Sequence, residues 1–233
     1  MIKLNKKLVM LLTVMGVAIG VFAQNSEVRK LSDFTAIRSS EGIHVYLKQG
    51  NSPSVKIEVD DIDLDEVKTE VSNQTLKIHL DLNNRIRVRG KVNVTVTFVS
   101  LNDLSASSGS SIIGESVLTA DAIELSSSSG ANIEVEVNSK EVKASSSSGS
   151  EIEIMGKVKS LEASSSSAGE VDAYELEAEE VYARSSSGGA VKVYAKLKID
   201  ARASSGGVVR YRGNPDQSNT GSSSGGSIIK SGE

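Results

Sequence analysis

The chain has 233 residues, no cysteine, no tryptophan, two histidines and a formal charge of −4. It cannot build a disulfide framework or a cysteine-based zinc site, and its charge argues against a nucleic-acid binder that works by neutralising phosphates. Only 3% of the residues are aromatic, so any core must be assembled from small and β-branched side chains.

Residues 1–23 read as an address. Lys3, Lys6 and Lys7 form a positive start, Leu8 to Phe22 is an uncharged apolar run, and Val21-Phe22-Ala23 supplies small residues at a cleavage site. This is the pattern of a secretory signal peptide cut before Gln24, and the run is short for a retained span. Loss of the three lysines would take the formal charge from −4 to −7. No second apolar run follows, so the sequence predicts an exported protein without a membrane span, placed in the periplasm, on the outer-membrane surface or outside the cell.

Residues 24–100 are β-rich. Phe34–Ile37, Gly42–Lys48, Ser54–Val59, Thr75–Leu80 and Val92–Val99 alternate or carry β-branched residues as strands do, while Asp63–Val71 fits a helical turn or a further strand. A solenoid must cover its ends, so this stretch is expected to supply capping turns. His44 and His79 fall at polar positions of alternating strands and read as outward side chains.

From residue 101 to 233 one block repeats: a hydrophobic pair, a serine run, a glycine turn and an alternating strand. Of the 40 serines, 32 lie beyond residue 100. The turns fall at Gly109, Gly130, Gly149, Ala168, Gly188, Gly206 and Gly225, 18 to 21 residues apart, each followed three residues later by isoleucine or valine. Flexible serine linkers do not hold such a register, and helices do not alternate with period two. A parallel β-solenoid with coils of about 19 residues remains. Side-chain alternation puts Ile123/Leu125, Ile133/Val135 and their equivalents inside, with Ser127, Ser146, Ser165 and Ser185. It also predicts Ser129, Ser148, Ser167 and Ser187 inside, and hydroxyl columns satisfying one another from coil to coil. Gly169 is expected to take the turn conformation that Ala168 disfavours.

The outward columns hold the candidate chemistry. Ser126/Ser128, Ser145/Ser147 and Ser164/Ser166 form a flat hydroxyl face. Glu134, Glu153 and Asp172 stack as an acidic triplet, a weak Ca²⁺ candidate whose plainer reading is solvated strand charge. No cofactor is implied. Tyr174 and Tyr194, expected as neighbours in the stack beside Lys192 and Arg210, form the best contact patch for sugar rings or a protein. No nucleophile elbow, phosphate loop or dinucleotide fingerprint is present.

The leader, the Phe34-Thr35-Ala36-Ile37 entry, Gly42-Ile43-His44-Val45-Tyr46-Leu47-Lys48-Gln49-Gly50 and the later Ser-Gly turns resemble the putative auto-transporter adhesin, head GIN domain family of Bacteroidetes. The resemblance runs from about Leu31 to Lys230. It implies a single-stranded right-handed parallel β-helix of the pectin-lyase-like kind, without those enzymes' catalytic residues, and a role in adhesion. It places the family's tight turns at Gly109, Gly130, Gly149, Gly188, Gly206 and Gly225, with Ala168 departing. No barrel-type strand series follows the repeats, so surface display would use separate machinery. The function expected is non-enzymatic adhesion, or glycan or protein binding, at the bacterial surface, with a homo-oligomer open. The rivals are a polysaccharide lyase or hydrolase on the same scaffold, a structural periplasmic protein and an ice-binding hydroxyl array.

Overall fold

The computed structural model describes residues 25–81 and 90–232; the leader lies outside them. The first part holds β1 (Asn25–Lys30), β2 (Ala36–Ser39), β3 (His44–Gln49), β4 (Ser54–Asp60), β5 (Val67–Ser72), β6 (Thr75–Leu80) and β7 (Lys91–Phe98). The repeats hold β8 (Asp103–Ala106), β9 (Ser111–Gly114), β10 (Leu118–Ser127), β11 (Asn132–Ser147), β12 (Glu151–Ser166), β13 (Glu170–Ser185) and β14 (Ala190–Ala203). Then come β15 (Val208–Arg212), β16 (Gln217–Ser222) and β17 (Ser227–Lys230). The ambiguous stretch is both things in turn, a 3-10 turn over Leu64–Glu66 leading into β5.

The architecture is an all-β solenoid of stacked parallel coils. Each long strand crosses one face, rounds a bend and returns on the other, so β11, β12 and β13 pair in parallel along most of their length. Ile112, Ile133, Ile152, Val171, Val191, Val209 and Ile228 meet in register on one face. Ile123, Val142, Leu161, Val181 and Ile199 do so on the other. Both rows point into one apolar core that runs from Phe34 to Val209. Removing such rows from water is the main driving force available to a chain this poor in aromatics.

The serine turns explain the narrow edge. The residue before each turn glycine and the glycine itself both have positive φ, as in Ser129 (+53°) and Gly130 (+70°). The Ala131 N–H closes back on the Ser128 carbonyl at 3.2 Å, the pattern of a type I′ turn. Turns stack as well: the Gly130 N–H donates to the Ser148 carbonyl of the next coil at 3.1 Å, and Gly149 to Ser167 at 3.2 Å. Two expectations are corrected here. Ser129, Ser148, Ser167 and Ser187 are exposed, because a left-handed backbone turns their side chains out of the strand alternation. Ala168 itself takes the positive φ (+60°), whereas Gly169 is glycine for want of room: a Cβ there would stand 2.7 Å from the Ser146 carbonyl.

The buried serines also bond differently from the expected ladder. Ser127 Oγ donates to the Ala131 carbonyl at 2.9 Å and Ser185 Oγ to the Gly189 carbonyl at 2.7 Å, tying each strand end to its own turn. Of the bonds between coils, Ser185 Oγ accepts from the Val208 N–H at 3.1 Å and pairs with Ser165 Oγ at 3.1 Å. Burying the hydroxyls of Ser127, Ser146, Ser165 and Ser185 is tolerable because each has such a partner, whereas the buried Ser39 Oγ has none among the described residues.

The first part continues the stack and closes it. β2 and β3, joined through Glu41 and Gly42 with φ of +60° and +72°, form a coil with the same turn as the serine repeats. It pairs in parallel with β8 and β9 on one side and with β6 and β7 on the other. Beyond it the pairing turns antiparallel, β7 with β4, β4 with β1 and β6 with β5. Arg29 of β1 then reaches β5, donating to the Val67 carbonyl at 2.7 Å and Thr69 Oγ1 at 3.1 Å. The opposite end finishes in hydroxyls: Ser218, Thr220 and Ser222 continue the inward rows of Ile199, Ala201 and Ala203. A polar last coil is what a solenoid needs to end in water.

Candidate binding face

The column four residues after each turn holds together through the bodies of five coils. Glu134, Glu153, Asp172, Lys192 and Arg210 pair in sequence across β11 to β15. The sign change is used: Lys192 Nζ lies 2.8 Å from Asp172 Oδ2 and 2.7 Å from Glu170 Oε1. These two carboxylates hold the Lys192 ammonium well above the usual lysine range. Asp172 also accepts the Tyr174 N–H at 3.2 Å. Arg210 makes no ion pair among the described residues and is the free cation of this face.

This arrangement speaks to the Ca²⁺ candidate. No group of three or more acidic, histidine or cysteine side chains converges to hold a metal among the described residues, and Asp172 is already engaged by Lys192. Desolvation, then the charges of Glu134, Asp172 and Glu151, push the Glu153 carboxyl above its ordinary value near 4.5. A carboxyl whose folded pKa is raised lowers stability as pH rises from the unfolded value to the folded one, because over that window the unfolded chain releases a proton that the native state keeps, and the full penalty stands above it. Glu153→Gln is therefore expected to raise the melting temperature at pH 7, with the gain disappearing below about pH 4. Melting curves at the two pH values check this; an equal gain at both would contradict it.

The tyrosines are not ladder neighbours. A register shift between Ala173 and Glu177 sets Tyr194 opposite Glu177 and leaves Tyr174 in a bulge. Arg212, opposite Tyr194 in β15, joins them instead. Its guanidinium carbon lies 5.1 Å from the Tyr194 ring centroid and 5.5 Å from that of Tyr174, within cation–π range of both. Arg212 also donates to the Tyr174 carbonyl and, at 3.2 Å, to Glu175 Oε1, while the Tyr174 hydroxyl pairs with Ser231 Oγ at 3.0 Å. Both rings are half-buried and held in place. Arg212 thus belongs to the patch with Tyr174, Tyr194, Lys192 and Arg210; its place two residues beyond Arg210 on the same strand face was the available signal. His44 is exposed and His79 half-buried, on different strands.

With this geometry in hand, comparison with known proteins is decisive for the family. The profile of the putative auto-transporter adhesin, head GIN domain family matches residues 33–215. The chain belongs to that family. Among solved structures, a putative adhesin from Bacteroides fragilis superposes with a TM-score of 0.82 at 21% identity, over 88% of this chain and 96% of that one. A putative adhesin from Parabacteroides distasonis gives 0.68 at 17% identity, over 89% and 97%. A protein from the same organism described as a putative lipid binding protein gives 0.63 at 22%, over 89% and 97%. At these identities the likeness concerns the fold. No curated protein matches the chain. No helix among the described residues is long and apolar enough to cross a membrane.

Proposed function

We propose that this family member is an exported, non-enzymatic adhesion protein of the bacterial envelope, with residues 1–23 as its cleaved leader. Its partner, a surface glycan or an envelope or host protein, meets the face built by Tyr174, Arg212 and Tyr194 and flanked by Arg210. The observation that carries this reading is the cation–π cluster itself. Two aromatic rings fixed by one guanidinium offer flat apolar area without the entropy cost of ordering loose side chains, and the neighbouring unpaired arginine adds charge selectivity. Family membership supports adhesion as the class of function. The carboxylates suit structural columns better than an acid–base pair, since Glu153 is exposed and Asp172 is held by Lys192.

The test is binding of the folded protein to arrayed glycans and matrix or envelope proteins, with wild type beside Tyr174→Ala/Tyr194→Ala. The double variant is expected to lose about tenfold in affinity for whatever the wild type binds, with an unchanged circular dichroism spectrum. Equal binding by the two would remove this face from the proposal. New reducing ends or unsaturated uronides released from any arrayed glycan would overturn the non-enzymatic reading.

A further inference from the structure

The opposite face carries a different feature. Between the last coils lies a shallow groove of about 580 Å³ lined by Arg184, Arg202 and serines that include Ser164, Ser166, Ser186 and Ser204. Arg184 and Arg202 are direct partners in the β13–β14 ladder, one coil apart. Like charges so placed repel unless something neutralises them. Arg202 is pinned by Asp200 at 3.3 Å and by the carbonyls of Ala201 and Asn219 at 2.9 and 3.1 Å. Arg184 is exposed and has no ion pair or hydrogen bond among the described residues. The groove therefore presents one oriented and one unoccupied guanidinium side by side.

The register extends this along the solenoid axis. The column of Arg184 continues through four serines, Ser164, Ser145, Ser126 and Ser105, to Arg38 and then Lys77. Basic pairs thus bracket a row of hydroxyls, and Arg38 stands about 24 Å from Arg184 by five strand spacings. Alongside runs a second hydroxyl column, two residues before each turn, which is serine in every coil from Ser40 to Ser223. The hydroxyls of Ser166, Ser186 and Ser204 have no protein partner among the described residues.

We infer that this face binds a linear acidic polysaccharide laid along the solenoid axis, with a carboxylate or sulfate seated on Arg184 and Arg202. The hydroxyl rows match the many hydroxyls of sugar units, and the paired guanidiniums supply charge-assisted, fork-like hydrogen bonds for the anion. Charge complementarity favours a chain with spaced anions over a nucleic acid. The formal charge of the protein is −4, Glu162 and Asp200 border the arginines, and no aromatic side chain lines the groove for base stacking. The site is separate from the tyrosine face, so either can fail while the other stands.

The experiment is titration of the full folded protein with polygalacturonate and heparin, with neutral dextran and duplex DNA as controls. At least one acidic polysaccharide is expected to bind, more weakly as salt rises. Arg184→Gln/Arg202→Gln should lower that affinity about tenfold with unchanged melting, and Arg184→Lys should recover part of it. Tyr174→Ala/Tyr194→Ala should bind the polysaccharide as the wild type does. Failure of both acidic polysaccharides to bind at low salt, equal binding by the double glutamine variant, equal binding of dextran or tighter binding of DNA would each overturn the inference.

Discussion

Gly156→Ala is expected to destabilise the solenoid by about 3 kcal/mol, the cost of backbone strain combined with a clash. Gly156 sits at the far bend of β12 with φ of +109°, and a Cβ there would stand 2.1 Å from the Val137 carbonyl oxygen of the preceding coil. Neither chain can move away without breaking the parallel ladder. The informative control is Gly130→Ala. Its φ is +70°, but a Cβ would meet nothing within 4 Å. That change is expected to cost only about 1 kcal/mol, the conformational penalty alone. Ala168→Gly should recover a similar amount, since Ala168 already bears that penalty at φ +60°. Urea unfolding of the three variants measures the difference. Equal costs at Gly156 and Gly130 would show that close approach does not select glycine at the bend.

Ser146→Ala is expected to cost about 2 kcal/mol, because it removes the partner of buried polar groups. Ser146 is 1% exposed, and its Oγ lies 2.8 Å from both the carbonyl oxygen and the hydroxyl of Ser150. It also accepts the Glu170 N–H of the following coil at 3.2 Å. The neighbouring Ser145 faces solvent, so Ser145→Ala should change stability by less than about 0.5 kcal/mol. The pair separates the two kinds of serine that the run Ser145 to Ser148 mixes together. A similar small effect at both positions would mean that the inner hydroxyls are only spacers.

Most of the fold was legible in the chain because one periodic constraint is repeated. Isoleucine or valine three residues after each turn is the trace of a row that must align from coil to coil. What was hidden has physical reasons. The coil of β2 and β3 obeys the same turn chemistry at Glu41 and Gly42, but the cap strands inserted before β8 separate it from its neighbour in the stack by 67 residues, Gly42 to Gly109. The outward swing of Ser129 and its equivalents depends on backbone φ, which alternation ignores. In the candidate face the displaced Tyr174 did leave a mark. The step from Ala168 to Gly188 is 20 residues where the previous one is 19, and the extra residue becomes the bulge. Arg212 stands six residues after its turn, as Tyr174 and Tyr194 do after theirs, so the repeat places the three in one column, and only the contact of one cation with both rings depends on the bulge. Arg184 and Arg202 stand four residues before their turns, where earlier coils have Ser126, Ser145 and Ser164, so a hydroxyl column read only through Ser164 ends one coil before its charge.

Adhesion to a partner outside the cell requires the solenoid to be displayed on the cell surface, and protease shaving of intact source cells tests this most directly. An antibody against residues 24–233 follows the solenoid, and a known periplasmic protein serves as the control. The solenoid is expected to be cleaved while the control survives. Protection of both until the outer membrane is opened would place the protein in the periplasm and contradict adhesion at the cell surface.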